Sequence, residues 1–229
     1  MERDTRSGDH ESRDGQELAH RGDREPPISL ALYWLLKWGL VHPLLLGYFR
    51  GRIYGAEHVP QSGPLVVVSN HASYFDPPLL SSALRRPVAY MAKAELFDVP
   101  LLSPAIRLYG AYPVTRGTGD RGALRAALSR LGEGWAVGVF PQGTRTAEAR
   151  ITAPKLGATV IAAKAKAPLL PVSLWGTQAI LRSAIPRPTP VTIRIGQPIE
   201  APQSGDRAEL EDVTQRCVAA IHALHDQGR

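Results

Sequence analysis

The sequence predicts an α/β fold, with a central sheet, largely parallel or mixed, flanked by helices and preceded by an apolar helical segment. Three observations carry this. Apolar runs rich in β-branched residues recur at 64–69, 87–91, 112–114, 136–140, 169–174 and 191–195. Amphipathic helical patterns fall between them, most clearly at 120–132 and 155–166. A length of 229 residues with 44% hydrophobic content suits one layered domain with short appendages. Strands alternating with helices favour parallel neighbours, because each helical crossover returns the chain to the same edge of the sheet.

Residues 1–25 hold eight acids and five bases and show no apolar periodicity, so a disordered polar tail is predicted there. No secretory signal is predicted, since no apolar stretch follows the first bases closely. Residues 26–50 turn apolar. The length permits a membrane span, but Lys37 and His42 lie near the middle and Pro43 should break or kink a helix. Tyr33, Trp34, Trp38, Tyr48 and Phe49 are aromatics of the kind found at a lipid–water boundary. Two short helices lying in or dipping into one leaflet are therefore predicted, the alternative being a helix packed on the core. Residues 51–229 form the α/β domain. Its last element is a helix over 206–225, with Glu209, Glu211 and Asp212 in early turns, where the helix dipole favours acids.

The net charge of +6 is uneven: the first 25 residues carry −3, leaving +9 on the remainder. A basic body points to an anionic partner such as a phospholipid surface, a phosphorylated substrate or an acidic carrier protein. No basic stripe interleaved with aromatics supports nucleic acid. One cysteine, Cys217, excludes an internal disulfide and fits a reducing compartment. The seven histidines are scattered and form no finger-type ligand set, so no metal is expected.

Chemistry concentrates where the buried run 66–70 ends at His71. Asp76 follows, then Pro77 and Pro78, a pattern that marks a helix start with Asp as cap. His71 thus leaves a strand end, where ligands of α/β sheets bind, and the turn can bring the Asp76 carboxylate back to its ring. On a continuous helix the two would sit roughly 140° apart. An imidazole suits a base that takes a proton from an attacking hydroxyl, and a carboxylate on its other nitrogen fixes the tautomer. The spacing alone is weak, because ten aspartates and seven histidines produce such pairs by chance. Asn70 is the only asparagine in the chain and stands beside this histidine. Ser73 lacks the Gly-x-Ser-x-Gly elbow of a hydrolase and reads as a turn residue. Cys217 reads as core.

The segment Asn70-His71-Ala72-Ser73-Tyr74-Phe75-Asp76-Pro77 resembles the first motif of the glycerolipid acyltransferase family, which includes the 1-acylglycerol-3-phosphate acyltransferases. Further blocks follow in that family's order: 110–116 with Gly110 and Arg116, 140–146, and Pro171-Val172. Segments 91–97 and 155–157 also fit, so the resemblance spans about residues 50–200. It implies His71 as base, Asp76 as its partner, and Arg116 on the acceptor phosphate, helped by Gly143, Thr144 and Arg145. Arginine offers forked donors to phosphate oxygens, and glycine lets backbone approach an anion. Lys93 supplies a further cation, while Asn70 and Gln142 support the site. The third block usually carries Glu where Gln142 stands. Glutamine keeps a hydrogen bond but no charge, which leaves the acceptor open.

The implied activity is transfer of an acyl group from an acyl thioester to the free hydroxyl of 1-acylglycerol 3-phosphate, giving phosphatidic acid. The co-substrate would be acyl-CoA or acyl-ACP, with no other cofactor, and the place the cytoplasmic side of a membrane, peripheral or monotopic. Glycerol 3-phosphate or another lysolipid is an alternative acceptor. A thioester or lipid hydrolase, or a non-catalytic membrane-binding module, is the alternative of another class.

Overall fold

The computed structural model describes residues 27–100, 102–114, 121–181 and 186–229. The polar segment 1–25 lies outside the described residues, as does Arg116.

Helix α1 begins at Pro27–Leu36 and continues through wider π-helical turns at Lys37–Val41 and Leu44–Tyr48. The predicted break at Pro43 is absent: Pro43 keeps right-handed helical angles, φ −60° and ψ −38°. In a regular α-helix its ring would collide with the carbonyl four residues back. The flanking turns instead bond five residues back, His42 N–H to Lys37 O and Phe49 N–H to Leu44 O at 3.0 Å, which gives the ring room. The wider turns also raise the repeat above 3.6 residues. Tyr33, Lys37, Val41, Leu45 and Phe49, every fourth residue, therefore line one buried face. Leu30, Leu32, Leu35, Trp38, Leu40, Leu46 and Tyr48 face outward. The predicted packing on the core is seen on one face of this helix, while the opposite face leaves large apolar side chains uncovered.

In the sequence, Lys37 interrupts the apolar stretch with a polar group. It is fully buried and turned inward. Its ammonium donates to the Leu84 carbonyl and, at 3.4 Å, to that of Arg86, and lies 4.6 Å from the centre of the Trp34 ring.

Among the described residues the sheet has seven strands: β1 (Arg52–Tyr54), β2 (Leu65–Ser69), β3 (Val88–Lys93), β4 (Ala111–Val114), β5 (Ala136–Val139), β6 (Leu169–Trp175) and β7 (Thr192–Ile195). Their spatial order is β1-β7-β6-β2-β5-β3-β4. Every neighbouring pair is parallel except β6 with β7. Helices α2 (Asp76–Ala83), α3 (Leu102–Leu108), α4 (Arg121–Gly132), α5 (Gly157–Ala165) and α6 (Arg207–Asp226) complete the layers. The six predicted strands are all present. Strand β1 escaped the sequence pattern because it is three residues long, half exposed and at the sheet edge.

Central strand β2 is apolar at consecutive positions because both its faces are covered. Val66 and Val68 join a core with Val137, Val139, Ile161 and Val213. Leu65 and Val67 join the opposite core with Leu79, Leu80, Leu170 and Val172. Each such side chain contributes roughly 1.5–3 kcal/mol by leaving water. This rigid, doubly covered strand is what aims His71.

Candidate active site

Strand β2 lies between β5 and β6, all parallel, so their C-terminal ends share one edge with those of β3 and β4. His71 follows β2, Phe140 follows β5, and Lys93 ends β3. The sequence blocks, far apart along the chain, therefore meet along one rim. A shallow cleft of about 580 Å³ lined by Ser62, Arg85 and Gly134 lies at the opposite edge, where β2, β3 and β5 begin. It is remote from this chemistry.

Asn70 explains how β2 ends. Its side-chain amide pairs with the backbone of Leu174 on β6: Nδ2–H donates to Leu174 O and Oδ1 accepts Leu174 N–H, both at 2.8 Å. The amide mimics one more rung of the ladder, so the main chain can turn away while the strand end stays fixed. Fully buried, Asn70 is a structural clamp directly before His71.

The turn then closes on Asp76. Its Oδ2 accepts the His71 Nδ1–H at 2.7 Å, the Ala72 N–H at 2.6 Å and the Ser73 N–H at 2.7 Å. The expected role of Asp76 as cap of its own helix is thereby corrected: its carboxylate reaches back to the preceding turn, and the helix has no side-chain cap. Asp76 is completely buried, whereas the His71 side chain retains 17% exposure. With Nδ1 held, Nε2 is left to handle a proton. Ser73 is buried and its Oγ accepts the Phe75 N–H at 3.2 Å, a turn-holding role.

The other side of the His71 ring is covered by Phe140, with centroids 4.1 Å apart and planes 17° from parallel. Tyr90 stacks beyond it at 5.9 Å and 13°. Gly138 makes the pile possible, since a Cβ there would come within 2.2 Å of the Tyr90 ring. Burial holds the Tyr90 hydroxyl well above the ordinary tyrosine value, so it stays neutral beneath the site. Carboxylate and aromatic pile together fix both the tilt and the plane of the imidazole.

The loop after β5 is tied to the same turn. Thr146 N–H donates to His71 O at 2.9 Å. Arg145 is exposed, and its guanidinium lies 3.4 Å from the centre of the Tyr74 ring. Thr144 is exposed beside it. Gly143 adopts φ +72°, a left-handed angle that favours glycine. The Lys155 ammonium rests against it, 3.1 Å from where a Cβ would stand. Gln142 turns toward its own loop: Oε1 accepts Thr152 N–H at 2.9 Å and Ala153 N–H at 3.1 Å, and Nε2–H donates to Thr152 Oγ1 at 3.3 Å. A carboxylate could accept the same two backbone bonds.

Of the residues singled out in the sequence, Asn70, His71, Asp76, Gly143, Thr144 and Arg145 come together, and Lys93 stands exposed at the end of β3 on the same rim. Pro171 and Val172 lie within β6, in register with Val68 and Ser69. Phe140, Tyr74 and Lys155 were missed as contributors. Each lay inside or beside a motif, but its contact depends on a loop distant in sequence. Cys217 is buried in α6, and burial pushes its thiol up to about 12, well removed from a ready nucleophile.

Residues 50–175 match the family described as Acyltransferase. The 1-acyl-sn-glycerol-3-phosphate acyltransferase of Bacillus subtilis is 33% identical over 127 residues, covering 55% of this chain and 62% of that protein. The one named 1-acyl-sn-glycerol-3-phosphate acyltransferase alpha in Homo sapiens is 33% identical over 147 residues, covering 63% and 52% respectively. The chain thus spans less than two thirds of these curated relatives. The crystal structure of the 1-acyl-sn-glycerophosphate (LPA) acyltransferase PlsC from Thermotoga maritima superposes with a TM-score of 0.66 at 27% identity, covering 93% of this chain and 89% of that one.

Proposed function

The chain belongs to the acyltransferase family, and on that premise we propose that it transfers an acyl group from an acyl thioester to the free hydroxyl of 1-acylglycerol 3-phosphate, forming phosphatidic acid. The observation that carries the reading is His71, partly exposed at the rim, with Nδ1 held 2.7 Å from a fully buried Asp76. The names of the relatives support the choice of acceptor.

The reaction needs no covalent intermediate on the protein. His71 Nε2 takes the proton of the acceptor hydroxyl as its oxygen bonds to the thioester carbonyl carbon. Asp76 stabilises the imidazolium that forms. The tetrahedral adduct collapses, the carbon–sulfur bond breaks, and the thiolate leaves with the proton from His71. Arg145, with Gly143, Thr144, Lys93 and Arg116, binds the acceptor phosphate. The donor is carried on coenzyme A or acyl carrier protein, which share the thioester arm. The outward leucines and Trp38 of α1 rest in the cytoplasmic face of a membrane, bringing the site to its lipid substrate.

The test is an acceptor screen with purified protein in vesicles and one acyl thioester. Thiol release should depend strictly on 1-acylglycerol 3-phosphate and yield phosphatidic acid. Thiol release at the same rate without any acceptor would make the protein a hydrolase and remove the reading.

A further inference from the structure

Arg145 is exposed, and its guanidinium lies over the ring of Tyr74. Tyr74 is itself 62% exposed, so core packing does not explain it. It belongs to the short turn between His71 and Asp76, the most tightly bonded turn of the site. A guanidinium is planar. Lying over an aromatic face uses its face and leaves its in-plane N–H donors available to a bidentate anion. Free arginine side chains sample many rotamers, and holding one in place lowers the entropy lost when it binds. A second link, Thr146 N–H to His71 O at 2.9 Å, keeps the Arg145 loop in register with this turn.

We propose that Tyr74 is a positioning residue that holds Arg145 over the His71 turn with its donor edge free for the acceptor's phosphate, so that one turn sets both the base and the anion ligand. The inference rests on the phosphate-recognising reading above. Tyr74 acts through its ring face; its hydroxyl is not needed. It tunes acceptor affinity and leaves the chemical step alone.

The experiment measures steady-state kinetics with varied 1-acylglycerol 3-phosphate and saturating donor. Wild type comes first: failure to acylate this acceptor removes the functional reading itself, before Tyr74 is examined. Given an active wild type, Tyr74→Leu should raise the acceptor KM by about three- to tenfold, the size of an aromatic–guanidinium contact, with kcat within about twofold. Tyr74→Phe, which keeps the ring, should restore the KM. In an Arg145→Gln background, Tyr74→Leu should add less than about twofold. A Tyr74→Leu KM equal to wild type overturns the inference while leaving the function standing. So does a loss confined to kcat, an equal defect in Tyr74→Phe, or a full additive effect in the Arg145→Gln background.

Discussion

Replacing Asp76 with asparagine tests the site at its most constrained atom. Oδ2 accepts three hydrogen bonds at 2.6–2.7 Å, and Oδ1 is buried with no partner among the described residues. An asparagine must aim its carbonyl at the three donors, which strands its NH₂ in the space of Oδ1. The three bonds then weaken from charge-assisted to neutral, losing roughly half of about 1.5–3 kcal/mol each. Unfolding stability should drop by about 2–4 kcal/mol, read by chemical denaturation. Catalysis should fall further, because a neutral amide does not stabilise the imidazolium. An attraction of about 3–4 kcal/mol between close charges near a protein surface corresponds to roughly a 10²- to 10³-fold loss in kcat. The assay is acceptor-dependent thiol release, with His71→Ala alongside. The double variant should be no worse than the poorer single variant, since the two residues act as one unit. An Asp76→Asn enzyme with kcat within threefold of wild type would refute the role given to the pair.

Three further outcomes are expected. Gln142→Leu removes two backbone-accepting bonds and should cost about 1–2 kcal/mol of stability and raise the acceptor KM. Gln142→Glu should keep stability within about 0.5 kcal/mol, and a larger loss in denaturation would show that the amide donor to Thr152 matters more than the acceptor. His222 Nε2 accepts Ile151 N–H at 3.1 Å and His225 Nδ1 meets Ser173 Oγ at 3.1 Å, with Arg150 and Asp226 alongside. Burial, then the Arg150 charge, lowers both imidazoles below the ordinary histidine value, with Asp226 opposing. The unfolded chain therefore binds more protons below about pH 6.5, so their stability contribution is complete above that value and is lost as pH falls toward the native pKa values. Melting temperature should drop between pH 7.5 and 5.5, and less steeply in a His222→Gln/His225→Gln variant; parallel profiles would count against this. Finally, Leu35→Ser with Leu40→Ser should lower co-sedimentation with anionic vesicles several-fold at unchanged melting temperature, because both side chains point outward. Equal sedimentation would remove the membrane role of that face.

The strands were legible because a sheet covered on both sides writes itself as unbroken apolar runs, as at 65–68. The short edge strand β1 had no such signature. Pro43 misled because a rule about α-helices does not foresee the π-turns that accommodate the ring. At the site, the contact of His71 with Asp76 could be argued from local order, since only five positions separate them. The amide of Asn70 bonding Leu174, 104 positions away, could not. Nor could Phe140 on His71 or Arg145 on Tyr74, which require knowing that β5 lies beside β2. The family resemblance makes Gln142 a supporting group of the site, standing where the third block usually carries Glu. In the structure, its hydrogen bonds close its own loop.

The buried lysine of α1 gives the apolar segment a side. By length and composition, Leu30–Tyr48 could cross a bilayer. To do so it would have to withdraw Lys37 from the carbonyls of Leu84 and Arg86 and carry it to mid-membrane, which costs about 2.5–3.5 kcal/mol on insertion scales. Leu84 closes the helix whose first residue is Asp76. The lysine is therefore a tether between the apolar segment and the far end of the helix that opens at Asp76. A hydropathy window counts how many apolar residues there are; this one lysine decides which way they face, and anchors the decision to the element that holds the carboxylate.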